Sequence, residues 1–150
     1  HGNSLSCNGV FLPKKTAAEF PFNENREMSG LEDWELWLRI AAQKTMTGSN
    51  EFTSRMNQHN GRSVLHITKE NLEKKFSCFY ESVFPSPEIQ RFYRGKLHRL
   101  RASCETYMAL HLAMTRKNRL AAIRHLAVGF FHFPAVIFTK RFYAILKRIP

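Results

Sequence analysis

The sequence predicts an α+β chain that is mostly helical: a loop-rich first part with a few short strands, then about four helices ending in a basic tail. Three observations lead there. Apolar residues recur at helical spacing through most of the chain beyond residue 31. Strand-like runs are short and lie early, at Val10-Phe11-Leu12 and Val64-Leu65-His66-Ile67. The charge is divided. Residues 1–85 hold ten basic and ten acidic side chains, whereas residues 86–150 hold thirteen basic ones against Glu88 and Glu105, so the whole net charge of +11 lies in the second part.

Residues 1–30 read as loop, punctuated by Gly2, Asn3, Asn8, Gly9 and Pro13. A helix starts near Asp33, because Trp34, Trp37, Leu38 and Ala41 fall at i, i+3, i+4 and i+7, and Gly48 follows its end. Val64–Ile67 reads as a strand end or a connector. Thr68 is an N-cap for a helix carrying Leu72, Phe76, Phe79 and Val83, which Pro85 ends. Ser86-Pro87-Glu88 supplies a cap, a proline at the first position and an acid in the first turn. From there one helical stripe, Ile89, Phe92, Leu97, Leu100, Cys104, Tyr107, His111 and Met114, runs to Asn118. A helix over about 119–132 ends at Pro134, and a last one covers about 135–148. The chain divides into 1–67 and a helical extension, 68–150.

A length of 150 residues suits one domain or part of one, and 43% hydrophobic with 23% charged residues excludes global disorder. Cysteines stand at 7, 78 and 104 with no CxxC, so neither a disulfide framework nor a zinc site is expected; they read as reduced, buried thiols of a cytosolic protein. His1, His66, His98, His111, His125 and His132 share no ligand spacing, and His98, His111 and His125, within helical patterns, read as packing or surface residues. The longest apolar run, Leu126 to Thr139, is 14 residues and is interrupted by His132 and Pro134. A bilayer needs about 20. No signal peptide opens the sequence, and a start at His1 leads us to expect part of a longer protein.

The sharpest chemistry is in Glu32-Asp33-Trp34-Glu35-Leu36-Trp37-Leu38-Arg39. Two adjacent carboxylates stand where a loop meets a helix, and a helix N-terminus favours their ionised form. A carboxylate fixed there is placed to accept a proton from a hydroxyl. Taken alone, the pair reads equally as an acidic cap over a Trp-rich core.

Asn3-Ser4-Leu5-Ser6-Cys7-Asn8-Gly9-Val10-Phe11, then Phe22-Asn23-Glu24, then Glu32 to Arg39 together resemble the later half of a family 2 glycosyltransferase, a bacterial sugar transferase of the GT-A fold. His59-Asn60-Gly61-Arg62-Ser63 is similar to a short segment that follows in that family. The resemblance implies that 1–67 is the acceptor-side part of the catalytic domain, with short strands from the edge of its sheet. It implies Asp33 as the catalytic base of an inverting transfer from a nucleotide-sugar, with Glu32 as an orienting neighbour. His59 and Arg62 would lie near the diphosphate or its metal; a solvated loop histidine and a surface arginine are the plain alternative. It further implies a glycan or lipid-linked acceptor and a divalent metal, Mg or Mn, held by an Asp-x-Asp. Asp33 is the only aspartate in the sequence, so no Asp-x-Asp exists here. The donor-binding half is therefore expected elsewhere, and this chain by itself is expected to be inactive.

In the tail, Ala135, Phe138, Phe142, Ile145 and Ile149 share one helical face. Lys140, Lys147 and Arg148 lie opposite, with Arg141 on the flank. That is the pattern of a helix lying on an anionic membrane, or of one packed on the protein with a solvated basic face. We expect a cytoplasmic protein, peripheral at the inner face of the cell membrane. The competing class is a non-catalytic basic helical module on anionic membrane or nucleic acid. Nucleic acid is the less expected partner, because the aromatic residues follow core stripes.

Overall fold

The computed structural model describes residues 5, 7–51, 68–115 and 118–149. Among these residues the architecture is all-helical and contains no strand. The expected α+β class, with strands from a GT-A sheet edge, is therefore corrected. Val10-Phe11-Leu12 does show strand-like burial, with Val10 and Leu12 half-buried and Phe11 80% exposed. No second segment among the described residues pairs with it, and an unpaired run stays irregular. Val64–Ile67 lies outside the described residues.

The chain forms two compact units, Asn3–Tyr93 and Arg94–Pro150. The first contains α1 (Lys14–Glu19), α2 (Glu32–Gln43), α3 (Lys69–Val83) and α4 (Pro87–Phe92). Helix α1, where loop was expected, begins directly after Pro13 and ends at the buried Phe20. Helix α2 buries Trp34, Leu36, Trp37, Leu38 and Ile40, a wider face than the expected stripe, because it is covered from several sides. On one side Trp34 meets Phe79 of α3 at 5.0 Å and the edge of Phe76 at 6.5 Å. On another, Phe20, Leu36, Trp37 and Ile40 cluster with Val10 and Leu12. Burying an aromatic such as Phe76 or Phe79 contributes about 2–3 kcal/mol. Thr68 caps α3 through Asn71 N–H (3.2 Å), and Ser86 caps α4 through Ile89 N–H (3.4 Å), as their sequence positions predict.

The second unit contains α5 (Leu97–Met114), α6 (Arg119–His132), a 3-10 turn at Pro134–Phe138 and α7 (Lys140–Leu146). The expected continuous stripe from Ile89 to Met114 is broken at Tyr93–Lys96, where Gly95 takes φ +72°. A left-handed residue ends a helix, and glycine adopts that conformation without a Cβ penalty. Helices α5 and α6 pack closely: a Cβ on Gly129 would stand 3.1 Å from Thr106 Cγ2 and 3.4 Å from the Ala102 carbonyl oxygen. The expected helix over 135–148 is likewise divided. Thr139 is extended (ψ 144°), donates its hydroxyl to Val136 O (2.6 Å) and accepts Phe142 N–H (3.3 Å), so it ends one element and caps the next.

Candidate functional site

The candidate site is the start of α2. Gly30 takes φ +93° and turns the chain into Leu31, after which Glu32 and Asp33 occupy the first helical turn, both half-buried. Gly30 N–H donates to the Glu32 carboxylate, and Trp34 N–H donates to Asp33 Oδ1 at 2.6 Å. Both carboxylates thus accept backbone N–H groups at the positive end of the helix.

A short 3-10 turn, Cys7–Gly9, leads into Val10 and Leu12, which pack against Leu36, Trp37 and Ile40 of α2. The Cys7 thiol is pushed above its ordinary value, first by desolvation, then by the charges of Asp33 and Glu32. The structure therefore brings together two of the segments that the sequence reading singled out, the Cys7-Asn8-Gly9 run and the acidic pair. His59 and Arg62 lie outside the described residues.

What makes this helix start rigid is a contact that sequence reading left without a role. Glu35 is 3% exposed, and Arg39 donates to it twice, Nε to Oε1 at 2.7 Å and Nη2 to Oε2 at 2.9 Å. Ser82 of α3 donates to Glu35 Oε1 (3.1 Å), and Arg39 Nη2 also reaches the Pro21 carbonyl oxygen (2.7 Å). The i, i+4 spacing of Glu35 and Arg39 was the available signal.

The tail residues separate. Phe138 is 80% exposed, and Lys140, Lys147 and Arg148 are exposed. Phe142 is half-buried and Ile145 fully buried, so the predicted apolar stripe does not lie on one free face. Arg141 turns inward and donates through Nη1 to Ser103 O at 3.0 Å. Of the three thiols expected to be buried, only Cys104 is; Cys7 is exposed and Cys78 half-buried. His125, read as a packing or surface residue, is buried with its Nδ1 2.7 Å from Glu105 Oε2. No described helix is long and apolar enough to cross a membrane.

The described residues contain no group of three His, Cys, Asp or Glu side chains placed to hold a metal ion. The Asp-x-Asp that the family resemblance gives the metal is absent from this sequence, and His59 lies outside the described residues. No family model, curated protein or solved structure matches the chain.

Proposed function

We infer that this chain carries the acceptor-side catalytic carboxylate of an inverting sugar transferase of family 2, of the kind that builds bacterial polysaccharide or envelope glycans. The observation that supports it is the acidic pair Glu32–Asp33, held at the start of a Trp-anchored helix beside the Cys7–Gly9 turn. A general base for hydroxyl attack must be ionised at working pH and fixed on a rigid element. The helix start supplies the first condition, and the buried Glu35–Arg39 pair with the Trp34–Phe79 contact supplies the second.

In this reading Asp33 takes the proton of an acceptor hydroxyl. The freed oxygen attacks the anomeric carbon of a nucleotide-sugar. The bond from that carbon to the phosphate oxygen breaks, and the nucleoside diphosphate leaves with the electron pair on the opposite face, so the configuration inverts. Glu32, its carboxylate tied to Gly30 N–H, orients the acceptor. The nucleotide-sugar itself requires a donor-binding region outside these 150 residues, since Asp33 is their only aspartate.

A peripheral position on an anionic membrane fits the same reading, with a glycan or lipid-linked acceptor. The exposed Phe138 next to the exposed Lys140 supports it. The deciding experiment is Asp33→Asn in the complete enzyme, with sugar transfer and donor binding measured side by side. Loss of a general base lowers turnover by roughly 10²–10⁴ with donor affinity little changed. A variant retaining more than about half the activity removes Asp33 from the role of base.

A further inference from the structure

Between residues 94 and 150 the chain carries twelve basic side chains and one acid, Glu105. Glu105 is buried and already held by Arg101 and His125. In this unit a cavity of about 340 Å³ opens among Arg99, Ser103 and Thr106 of α5 and Thr139 and Arg141 at the start of α7. Phe133 and Val136 form its apolar wall, and no acidic side chain lines it. A volume of this order suits a small ligand.

Both guanidiniums are held in place. Arg99 lies over Phe133, 4.8 Å from the ring centroid, and its buried Nε has no hydrogen-bond partner among the described residues. Arg141 uses Nη1 alone for Ser103 O (3.0 Å), Ser103 Oγ (3.3 Å) and Thr106 Oγ1 (3.3 Å), and lies 5.8 Å from the Tyr107 ring centroid. Its remaining N–H groups receive no acceptor from the described residues. Burial lowers the Arg141 pKa, yet an arginine remains protonated at neutral pH. Two cations lining a partly desolvated pocket with no acid among its walls call for an anion.

The hydroxyls narrow the choice. Thr106 already donates to Ser103 O (3.1 Å) and Thr139 to Val136 O (2.6 Å). Ser103 accepts from Arg141 and keeps its own hydrogen for a ligand. Three separate donor groups, Arg99, Arg141 and Ser103, match three terminal oxygens better than the two of a carboxylate. We propose that this pocket binds the phosphate of a phosphomonoester, with Arg99 and Arg141 as charged donors, the Ser103 hydroxyl as the third, and Phe133 with Val136 covering the organic part. The phosphate is either that of a soluble ester or the headgroup of a phosphatidic-acid-type lipid. Asp33 has no part in this site, so the loss of either assignment leaves the other standing.

The test uses the full chain. Glycerol 3-phosphate is titrated at constant ionic strength while the Arg99 Nε–H and the Ser103 and Thr106 amides are followed by NMR. In parallel, phosphatidylcholine vesicles are doped either with phosphatidic acid, a monoester, or with phosphatidylglycerol, a diester. Saturable shifts confined to the pocket identify a soluble monoester. No shift, with binding to phosphatidic acid vesicles that exceeds binding to phosphatidylglycerol vesicles, identifies the lipid-borne one. In either arm Arg99→Gln weakens binding about tenfold or more, while Arg119→Gln and Arg124→Gln, both exposed in the same unit, change it by less than about twofold. Absence of binding in both arms, or equal losses from all three substitutions, overturns the proposal. The shifts in the unsubstituted chain and its choice between the two lipids decide the matter even if Arg99→Gln fails to fold.

Discussion

Arg39 grips Glu35 from one turn further along α2, with both carboxylate oxygens engaged at 2.7 and 2.9 Å. The carboxylate is 3% exposed and the arginine side chain 25%, so the pair is buried on one side only. It ties α2 to Ser82 of α3 and to the chain at Pro21. The helix that presents Glu32 and Asp33 is thus pinned by the two charged residues that follow them in the same sequence motif.

Removing one member of such a pair strands the other. Arg39→Ala leaves Glu35 buried with only Ser82 to answer its charge, and the expected cost is about 3 kcal/mol. Arg39→Lys keeps the charge but loses the fork and the Pro21 contact, so it falls between the two. Glu19→Gln, which breaks the exposed pair with Lys44, costs under about 1 kcal/mol. Urea unfolding of the three variants checks the order. Equal losses for Arg39→Ala and Glu19→Gln would make the buried pair ornamental.

His111 gives the second unit a pH dependence of known sign. Burial pushes its pKa below the ordinary value of 6.5, and the charge of Arg141 pushes the same way. The folded state therefore prefers the neutral ring. Its contribution is complete above about pH 6.5, where the unfolded chain has also lost the proton, and is lost as the pH falls towards the depressed folded value. His111→Gln removes this part of the acid limb, so its stability varies less with pH between 7 and 5 than that of the parent, a difference read from thermal melts across about that range. Parallel curves for parent and variant would mean that His111 does not titrate on unfolding.

How far the sequence carried the fold depends on which interaction decides each element. Periodicity found α2 and α3 because one face of each is apolar over three turns or more, and Thr68 and Ser86 were legible because their side chains act within three residues. It missed the breaks at Gly95 and Thr139. There a single residue's backbone conformation overrides an apolar pattern that continues through it. It read Val10–Leu12 as a strand because three consecutive apolar residues between turn residues are strand-like, while the absence of a pairing partner is a non-local fact. At the site, Glu32 and Asp33 were visible as residue types at a helix start. The inward turn of Arg141 was not, because it depends on Ser103 and Thr106, more than thirty residues away.

The nearness of Cys7 to the acidic pair allows a check that needs no enzymatic activity. Asp33 and Glu32 both raise the Cys7 pKa, so removing either charge lowers it and increases the thiolate fraction near pH 8. Alkylation of the exposed Cys7 by iodoacetamide is expected to quicken about twofold in Asp33→Asn, and less so at high salt. Cys104, buried and pushed up chiefly by desolvation, stays unmodified in the folded protein. An unchanged Cys7 rate at low salt would separate the Cys7–Gly9 turn from the carboxylates and weaken the case for a shared site.

The tail poses the last question, and its burial pattern sharpens the test. Ile145 is fully buried while Phe138 is 80% exposed, so the two cannot serve the same purpose. If the tail meets a membrane, Phe138 inserts and Lys140, Lys147 and Arg148 supply charge at about 1 kcal/mol each near an anionic leaflet. Arg141 is excluded from that group because its guanidinium is bonded to Ser103 and Thr106. Phe138→Ala is expected to reduce flotation with anionic vesicles and leave the Tm unchanged. Ile145→Ala is expected to cost about 2–4 kcal/mol of stability and lower the Tm, because it opens a cavity inside the protein. Changing Lys140, Lys147 and Arg148 together to Gln releases the protein from vesicles, and high salt does so in part. A protein that fails to float at low salt, or whose Tm falls when Phe138 becomes Ala, has a tail that serves packing alone.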